Sequence, residues 1–565
     1  METHSKEIKS NLEYLRKLFI MPDSPDKFIE FGHDLLEMIH DFFQGKGGIH
    51  SAITLPELSN IFDHTAIPVG PKLIEDVLSE IKEKIVEHSV KVGNPYYIGH
   101  MTSAIPYFMI LLEMIIAALN QNQVKIETAK ASSFVERELV AWLHRLVFNK
   151  SDEYYKTNIQ NHRVALGNVT SDGTLANLTA LLVAREKAFP PEGDFPGLRM
   201  AGVERALHYH GYSRGVVIVS KRGHYSIIKA ANLLGIGEDN VIGISVDNNN
   251  RMDIKKLRRK VENLQANTGG KTKIISIIGI AGNTEAGTVD NLQEMGKIAQ
   301  EVGAHFHVDA CWGGSAILVD EYRPLFKGIE NADSVTIDAH KLLYCPMSMG
   351  MVLFRDEKDL RYIKHSSQYV IRRNSVDTGR FTIEGSRPFA CLKPWASLKI
   401  IGRKGYGLLF KQAKKSTDNF KNLLDNSGNF ETLNTPQLFI LIYRFIPEIV
   451  KMQLLTWEKK KSTSTKKEDT KETERKIRKV NNLINGLNIK LHKALRRDDN
   501  TFVSRTTMES TTYRPQNIVV LRAVLINPLT NRQILEEIVG TQNHIGMQIW
   551  REFEPVYNRL KEETG

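Results

Sequence analysis

The sequence predicts an α/β fold: a mostly parallel central sheet flanked by helices, with an N-terminal helical segment before it and a small C-terminal α+β domain after it. Three observations predict this. Short β-rich runs recur through the middle of the chain: VVIVS (216–220), KIISIIGI (273–280), HFHVDA (305–310), SVTIDA (334–339) and GMVLFR (350–355). Among them lie runs whose apolar residues repeat at helical spacing, TLANLTALLVAREKAF (174–189) and DNLQEMGKIAQEV (290–302). Strands that alternate with helices are joined by crossovers, which place the strands parallel and cover both faces of the sheet. Finally, a chain of 565 residues exceeds what one hydrophobic core serves, so two or three packed units are expected.

The elements follow in order. Residues 1–100 alternate amphipathic patterns such as LIEDVLSEIKEKIVEH (73–88) with turn signals and read as a helical segment. Residues 101–395, expected to be the large domain, include a long helical pattern at 132–148, SSFVERELVAWLHRLVF, and then the alternating strands and helices. Residues 396–565, expected to be the small domain, return to helices and end on one clear strand, NIVVLRAVLI (517–526), and a terminal helix. No internal repeat is visible. The longest apolar run, 104–119, contains Pro106 and Glu113 and is too short to span a bilayer. The stretch from Met1 to Leu18 is charged and lacks the apolar core of a signal peptide. The three cysteines, Cys311, Cys345 and Cys391, have no metal-type spacing and fit a reducing compartment. A cytoplasmic protein with no membrane partner is the expectation.

The formal net charge of +11 raises the question of a nucleic-acid partner. Between Glu458 and Lys479 lie ten Lys/Arg against five Asp/Glu, so nearly half of the excess sits in this one Ser/Thr/Lys-rich segment. That composition reads as a flexible basic insertion at about 458–480, a solvated loop or frayed helix. The remainder is spread too thinly for a nucleic-acid patch, and no such partner is expected.

Other chemistries are excluded by spacing. Gly270-Lys271-Thr272 lacks the leading glycine of a P-loop, because Gln265 stands there, and Gly235-x-Gly237 lacks the third glycine of a dinucleotide fingerprint. Neither an H-E-x-x-H zinc motif nor a G-x-S-x-G elbow occurs, so no metal is expected.

What remains is a constellation at strand ends, where ligands of such sheets bind. HVDACWGG ends one strand with Asp309, TIDAHK ends the next with His340-Lys341, and HYSIIK places His224 just after VVIVS. Upstream, in GNVTSDGTLANL, a polar cluster runs directly into a helix. A pyridoxal phosphate site needs a lysine to hold the cofactor aldehyde and a carboxylate to keep the pyridine nitrogen protonated. It also needs a flat group over the ring and a phosphate cup at a helix N-terminus. Lys341, Asp309, His224 and the run Asp172-Gly173-Thr174 fill those needs in turn. Each feature alone is commonplace; their conjunction in this order carries the reading.

With these motifs the chain resembles the group II pyridoxal-dependent decarboxylases, in particular the branch containing glutamate and aspartate decarboxylases. The resemblance runs from about residue 94 to about residue 550. It includes NPYYIGHMTSA, the Asn120/Asn122 pair, the phosphate loop, HYSIIK, HVDACWGG, DAHK, EGSRP and VVLRAVLINP. It implies an aminotransferase-like fold of type I, pyridoxal 5'-phosphate as cofactor, and a homodimer with active sites at the subunit interface. It further implies that Lys341 is the Schiff-base lysine, Asp309 the partner of the ring nitrogen, and His224 the stacking residue that assists protonation. Thr284 then lies near the ring substituents. Asp172, Gly173 and Thr174 cup the phosphate, joined by Asp338 beside His340 and by Gly385-Ser386 from the other subunit. Tyr369 is the mobile-loop residue that returns a proton to the α-carbon. Two positions depart from the family pattern. Asp172 replaces a glycine, so its carboxylate must turn away from the phosphate or cap the helix. Cys311 replaces an alanine against the ring's other face and should pack as a small apolar group.

Arg522 bears on the substrate. A lone arginine in a run of apolar residues is costly unless paired, so it holds either a structural carboxylate or the distal carboxylate of an acidic amino acid. The resemblance favours the latter, with His100 as a second lining donor. It makes aspartate, giving β-alanine, the first expectation and glutamate, giving γ-aminobutyrate, the second. Decarboxylation of a neutral or aromatic amino acid such as tyrosine, and transamination on the same cofactor, are the alternatives.

Overall fold

The computed structural model describes residues 11–45, 48–266, 270–366, 375–463 and 465–562. Its centre is a seven-stranded sheet. The strands are β1 (Gly167–Thr170), β2 (Arg214–Ser220), β3 (Val241–Ile244), β4 (Thr272–Ile280), β5 (His305–Asp309), β6 (Ser334–Asp338) and β7 (Gly350–Phe354). They lie in the order β1-β7-β6-β5-β4-β2-β3. Strands β3, β2, β4, β5 and β6 are parallel, and β7 runs antiparallel to both β6 and β1. Every residue of β5, β6 and β7 is buried, which is why these strands read as nearly unbroken apolar runs.

Four helices flank the sheet: α1 (Ala131–Phe148), α2 (Gly173–Ala188), α3 (Ser226–Leu233) and α4 (Leu292–Glu301). Helix α2 crosses β7, β6, β5 and β4, so its first turn stands at the ends of the strands that carry polar residues. The expected spans of α1, α2 and α4 agree with the observed ones to within about two residues.

The C-terminal part differs from its sequence reading in two ways. Four strands, not one, build its antiparallel sheet: β8 (Phe430–Thr432), β9 (Ile440–Phe445), β10 (Ser504–Glu509) and β11 (Asn517–Val524), in the order β10-β11-β9-β8. The expected flexible basic insertion at 458–480 is a helical hairpin, α5 (Glu448–Thr463) and α6 (Lys467–Asp498), which packs with the terminal helix α7 (Arg532–Glu562). Ile477, Val480, Ile484, Leu487 and Leu491 recur at helical spacing along α6 and are buried in a core with Phe445, Leu521 and Trp550. Composition concealed this, because the opposite face of α6 carries the charges while a narrow apolar stripe does the packing.

Among the described residues no helix is long and apolar enough to cross a membrane, and no cluster of three His, Cys, Asp or Glu could hold a metal ion.

Candidate active site

Strand β5 ends on Asp309 and the adjacent β6 on Asp338, and the turn after β6 returns Lys341 to these strand ends. The Lys341 Nζ lies 2.9 Å from Asp338 Oδ2. Burial alone would push this ammonium toward neutrality. The Asp338 carboxylate in contact with it, aided by Asp309, outweighs burial and raises its pKa. The other Asp338 oxygen, Oδ1, is buried without a hydrogen-bond partner. Asp338 thus lies against Gly173 at the start of α2 and is the ion-pair partner of Lys341.

Asp309 is buried, and no Lys, Arg or His nitrogen among the described residues is recorded within 4 Å of it. Its Oδ2 accepts from Asn177 Nδ2 at 3.0 Å and its Oδ1 from the Cys311 backbone N–H at 3.1 Å. Burial works against the charge, but the neighbouring His307, then Lys341 and the Cys311 N–H, hold its pKa below the ordinary carboxylate value. An ionised, buried carboxylate at a strand end without a protein cation is suited to a cationic N–H of a ligand.

Helix α2 starts against both strand ends. Asp172 is its N-cap, and its side chain accepts from the Leu175 N–H at 2.8 Å, so the carboxylate caps the helix as the sequence required. A Cβ on Gly173 would lie 2.6 Å from Cys311 Sγ and 2.7 Å from both Asp338 oxygens, so only glycine lets the helix start approach so closely. The first N–H groups of the helix, at Gly173 and Thr174, lack intrahelical acceptors and form an anion-binding end. Cys311 is buried, with Sγ 3.4 Å from Thr336 Oγ1, and burial keeps it a thiol. His340 is tied by Nδ1 to the Met349 carbonyl at 2.9 Å. Ser386 lies near Asn122, and Arg387 makes a buried two-pronged pair with Glu136 at 3.1 and 2.9 Å. Arg387 also donates to the Val169 carbonyl, which brings Gly385-Ser386 beside the chain's own β1–α2 loop.

His224 follows β2 and is half-buried. Its Nδ1 lies 2.9 Å from Ser226 Oγ, and burial lowers its pKa, with Asp309 opposing in part. Tyr369 lies outside the described residues.

A second group stands on β11. Arg522 donates from Nε to Ser504 Oγ at 3.0 Å, from Nη1 to the Thr284 carbonyl at 2.6 Å and from Nη2 to the Gly99 carbonyl at 3.3 Å. All three acceptors are neutral, and no carboxylate among the described residues is recorded within 4 Å of this guanidinium. Burial lowers its pKa, and Glu285 partly offsets that. Of the two alternatives for this arginine, the structural carboxylate is not found within 4 Å among the described residues. Thr284 takes part through its backbone. The segment carrying His100 reaches Arg522 through a backbone bond from Val524 N–H to the Ile98 carbonyl, and a Cβ on Gly99 would meet Val503 at 2.6 Å. The exposed His100 ring has its pKa lowered by nearby protein mass and then by Arg522, Lys341 and His340, so it lies within electrostatic range of both residue groups.

Sequence reasoning missed Asn177, Ser226, His307 and Thr336, which surround Asp309. Signals existed for three of them. Asn177 is a polar residue one turn after Gly173 on a helix otherwise apolar on that face, His307 shares a strand face with Asp309, and Ser226 follows His224 by two positions.

The family described as the pyridoxal-dependent decarboxylase conserved domain matches residues 56–446. Aspartate 1-decarboxylase of Aliivibrio fischeri is 38% identical over 545 residues, covering 96% of this chain and 96% of that protein. L-2,4-diaminobutyrate decarboxylase of Acinetobacter baumannii is 27% identical over 381 residues, covering 66% of this chain and 72% of that protein. The crystal structure of mouse CSAD in apo form superposes with a TM-score of 0.76 at 23% identity, covering 92% of this chain and 99% of that one.

Proposed function

This chain belongs to the pyridoxal-dependent decarboxylases, a pyridoxal phosphate-dependent family of carboxy-lyases acting on amino acids, and from that premise we propose that its substrate is an acidic L-amino acid. Aspartate, giving β-alanine, is the preferred substrate and glutamate the second. One observation carries this reading: Arg522 is a cation among neutral acceptors, with no carboxylate among the described residues within 4 Å. A guanidinium so placed binds a carboxylate ligand with two parallel hydrogen bonds. The likeness along almost the whole chain to a protein named aspartate 1-decarboxylase supports the choice of aspartate.

The residues present fit pyridoxal phosphate. Asp309 is ionised and buried, with no Lys, Arg or His nitrogen among the described residues within 4 Å; the start of α2 is bare at Gly173, against Asp338; and Lys341 pairs with Asp338 at 2.9 Å. When bound, the cofactor supplies an electron sink for the pair left behind as the α-carboxylate departs as carbon dioxide. Lys341 would hold the cofactor, Asp309 would keep a proton on its ring nitrogen, and Gly173 and Thr174 would hold its phosphate. The Asp338 carboxylate, 2.9 Å away, would hold the Lys341 side chain in position for the cofactor. Arg522 and His100 fix the distal carboxylate, which leaves the α-carboxylate free to depart. His224 covers the reacting centre, and Tyr369 is the donor that returns a proton to the α-carbon.

The exposed apolar side chains of Phe28, Ile29, Phe62, Tyr107, Leu111 and Ile115 support a homodimer, and Gly385-Ser386, which stand beside the chain's own β1–α2 loop, would join the phosphate site from within the same subunit. A cytoplasmic location accords with the three free, buried cysteines.

The test is a panel of amino acids given to the purified, cofactor-loaded protein, with carbon dioxide measured and the amine identified. Aspartate should give the highest kcat/KM. A preference for 2,4-diaminobutyrate or tyrosine, or keto-acid formation without carbon dioxide, would reject the reading.

A further inference from the structure

The carboxylate of Asp309 ends a chain of buried hydrogen bonds whose direction is fixed by chemistry. An ionised carboxylate accepts only, so Asn177 must turn its NH2 toward Asp309 Oδ2, at 3.0 Å. The other amide proton then points at Ser226 Oγ, also at 3.0 Å. Asn177 Oδ1, now facing the other way, accepts from His307 Nε2 and from Thr336 Oγ1, each at 3.0 Å. His307 therefore carries its proton on Nε2, and its Nδ1 accepts from Ser334 Oγ at 2.9 Å. His305 Nε2 in turn lies 2.8 Å from Ser334 Oγ and donates to it. All the side chains of this series are buried. On the other branch, Ser226 accepts from Asn177 and donates to His224 Nδ1 through its O–H at 2.9 Å and its backbone N–H at 3.3 Å. Both amide protons and both lone pairs of Asn177 are thus used.

We infer that Asn177 is a positioning residue that serves two site groups at once: it holds Asp309 as a carboxylate and, through Ser226, fixes His224 as the tautomer with its proton on Nε2. The relay from His305 through Ser334 and His307 to Asn177 runs with every donor pointing toward Asp309. Hydrogen bonds aligned in this way polarise one another and strengthen the last one, in a place where no cation among the described residues lies within 4 Å of the carboxylate. The amide does not pass protons along, so the relay delivers polarisation rather than charge. Fixing the outer nitrogen of His224 as an N–H makes that ring a donor toward the reacting centre in the resting state. The roles of Asp309 and His224 rest on the function proposed above, whereas the relay itself is a property of the cofactor-free protein.

The test uses the full-length protein without cofactor, its histidine side chains followed by nitrogen NMR, and pyridoxal phosphate titrated into it with tryptophan fluorescence as the readout. Wild-type His224 and His307 should each give a single Nε2–H tautomer. Asn177→Ala should abolish that preference at His307, weaken it at His224, where the Ser226 donors remain, and weaken cofactor binding by about tenfold to a hundredfold, the range expected for one hydrogen bond to a charged group. Ser226→Ala should disturb His224 alone and leave cofactor affinity within about threefold, since the Asp309 branch survives. If Asn177→Ala does not fold, His307 provides the second route. Glutamine there keeps an N–H aimed at Asn177 and should retain cofactor affinity, while leucine should lose about tenfold. Unchanged histidine tautomers in Asn177→Ala, or equal effects of His307→Gln and His307→Leu, would overturn the relay. Altered tautomers with unchanged cofactor affinity would support the relay and overturn the placement of Asp309 at the ring nitrogen.

Discussion

Replacing Arg522 by methionine keeps the unbranched apolar stem on β11 and removes the guanidinium. Two consequences follow, one on stability and one on kcat/KM, and the assay reads them separately. Within the protein, Ser504 Oγ and the carbonyls of Thr284 and Gly99 each lose a donor. Arg522 is only half-buried, so water can replace these bonds at about 0.5–1.5 kcal/mol each, and part of that is returned because a desolvated cation is gone. Toward the substrate, the loss is a charge-assisted pair worth about 1.5–3 kcal/mol. That should lower kcat/KM for aspartate and glutamate together by about tenfold to a hundredfold. Arg522→Lys should restore part of the loss, because an ammonium keeps the charge but not the planar fork. Steady-state rates with aspartate, glutamate and tyrosine, set beside thermal melts, provide the assay. Acidic substrates should fall relative to the neutral one, with little change in melting temperature. An equal fall for all three, or a destabilised protein with unchanged preference, would refute the substrate reading and leave Arg522 as a structural residue of β11.

Four further outcomes are expected. Lys341→Ala should abolish turnover and covalently held cofactor in a folded protein, measured by cofactor released on denaturation; retained activity would refute the assignment. Asp309→Ala should slow turnover on the order of a hundredfold to a thousandfold, from about 3–5 kcal/mol for an unpaired buried charge, and a loss below about tenfold at saturating cofactor would refute it. Stability should fall with acid. Burial lowers the pKa of His144 and His307 from 6.5 to about 4 and that of His305 to about 3, so their contribution is complete above pH 6.5 and is lost as the pH falls toward those values. Burial raises Asp290 from 3.8 to about 6, which works in the opposite sense over that range. Three imidazoles against one carboxyl leave about two protons, or about 2.7 kcal/mol per pH unit near pH 5, and urea midpoints that do not fall between pH 6 and pH 5 would contradict this. Deleting residues 459–473 should destabilise the protein, because it severs α5 from α6; an unchanged melt would restore the loop reading.

Several features were legible in the sequence because they depend on local pattern. Strands β2, β4, β5, β6 and β7 are buried on both faces and so appear as apolar runs, and α1, α2 and α4 keep a helical period. Lys341, Asp309, His224 and the start of α2 were found because strand ends are where such sheets bind ligands, and Asp172 announced its capping role by being a carboxylate at an N-cap. The C-terminal strands β8 and β10 were not legible, since β8 has only three residues and β10, SRTTME, carries no apolar run, whereas β9, ILIYRF, is a fully buried run that sequence reasoning missed. The basic hairpin misled because its composition was weighed without its period.

By itself, then, the sequence determined the strand–helix alternation, the four groups suited to a pyridoxal phosphate site, and the presence of an arginine in an apolar strand that required an explanation. Whether Arg522 had a carboxylate partner was decided only by the tertiary structure, because the residues around it come from near positions 99, 284 and 504, and no spacing rule joins them. The same holds for Asn177, whose four partners come from α3, β5 and β6. A hydrogen bond reaches about 3 Å, and which groups fall within that distance is set by how the sheet and helices pack, not by their order along the chain.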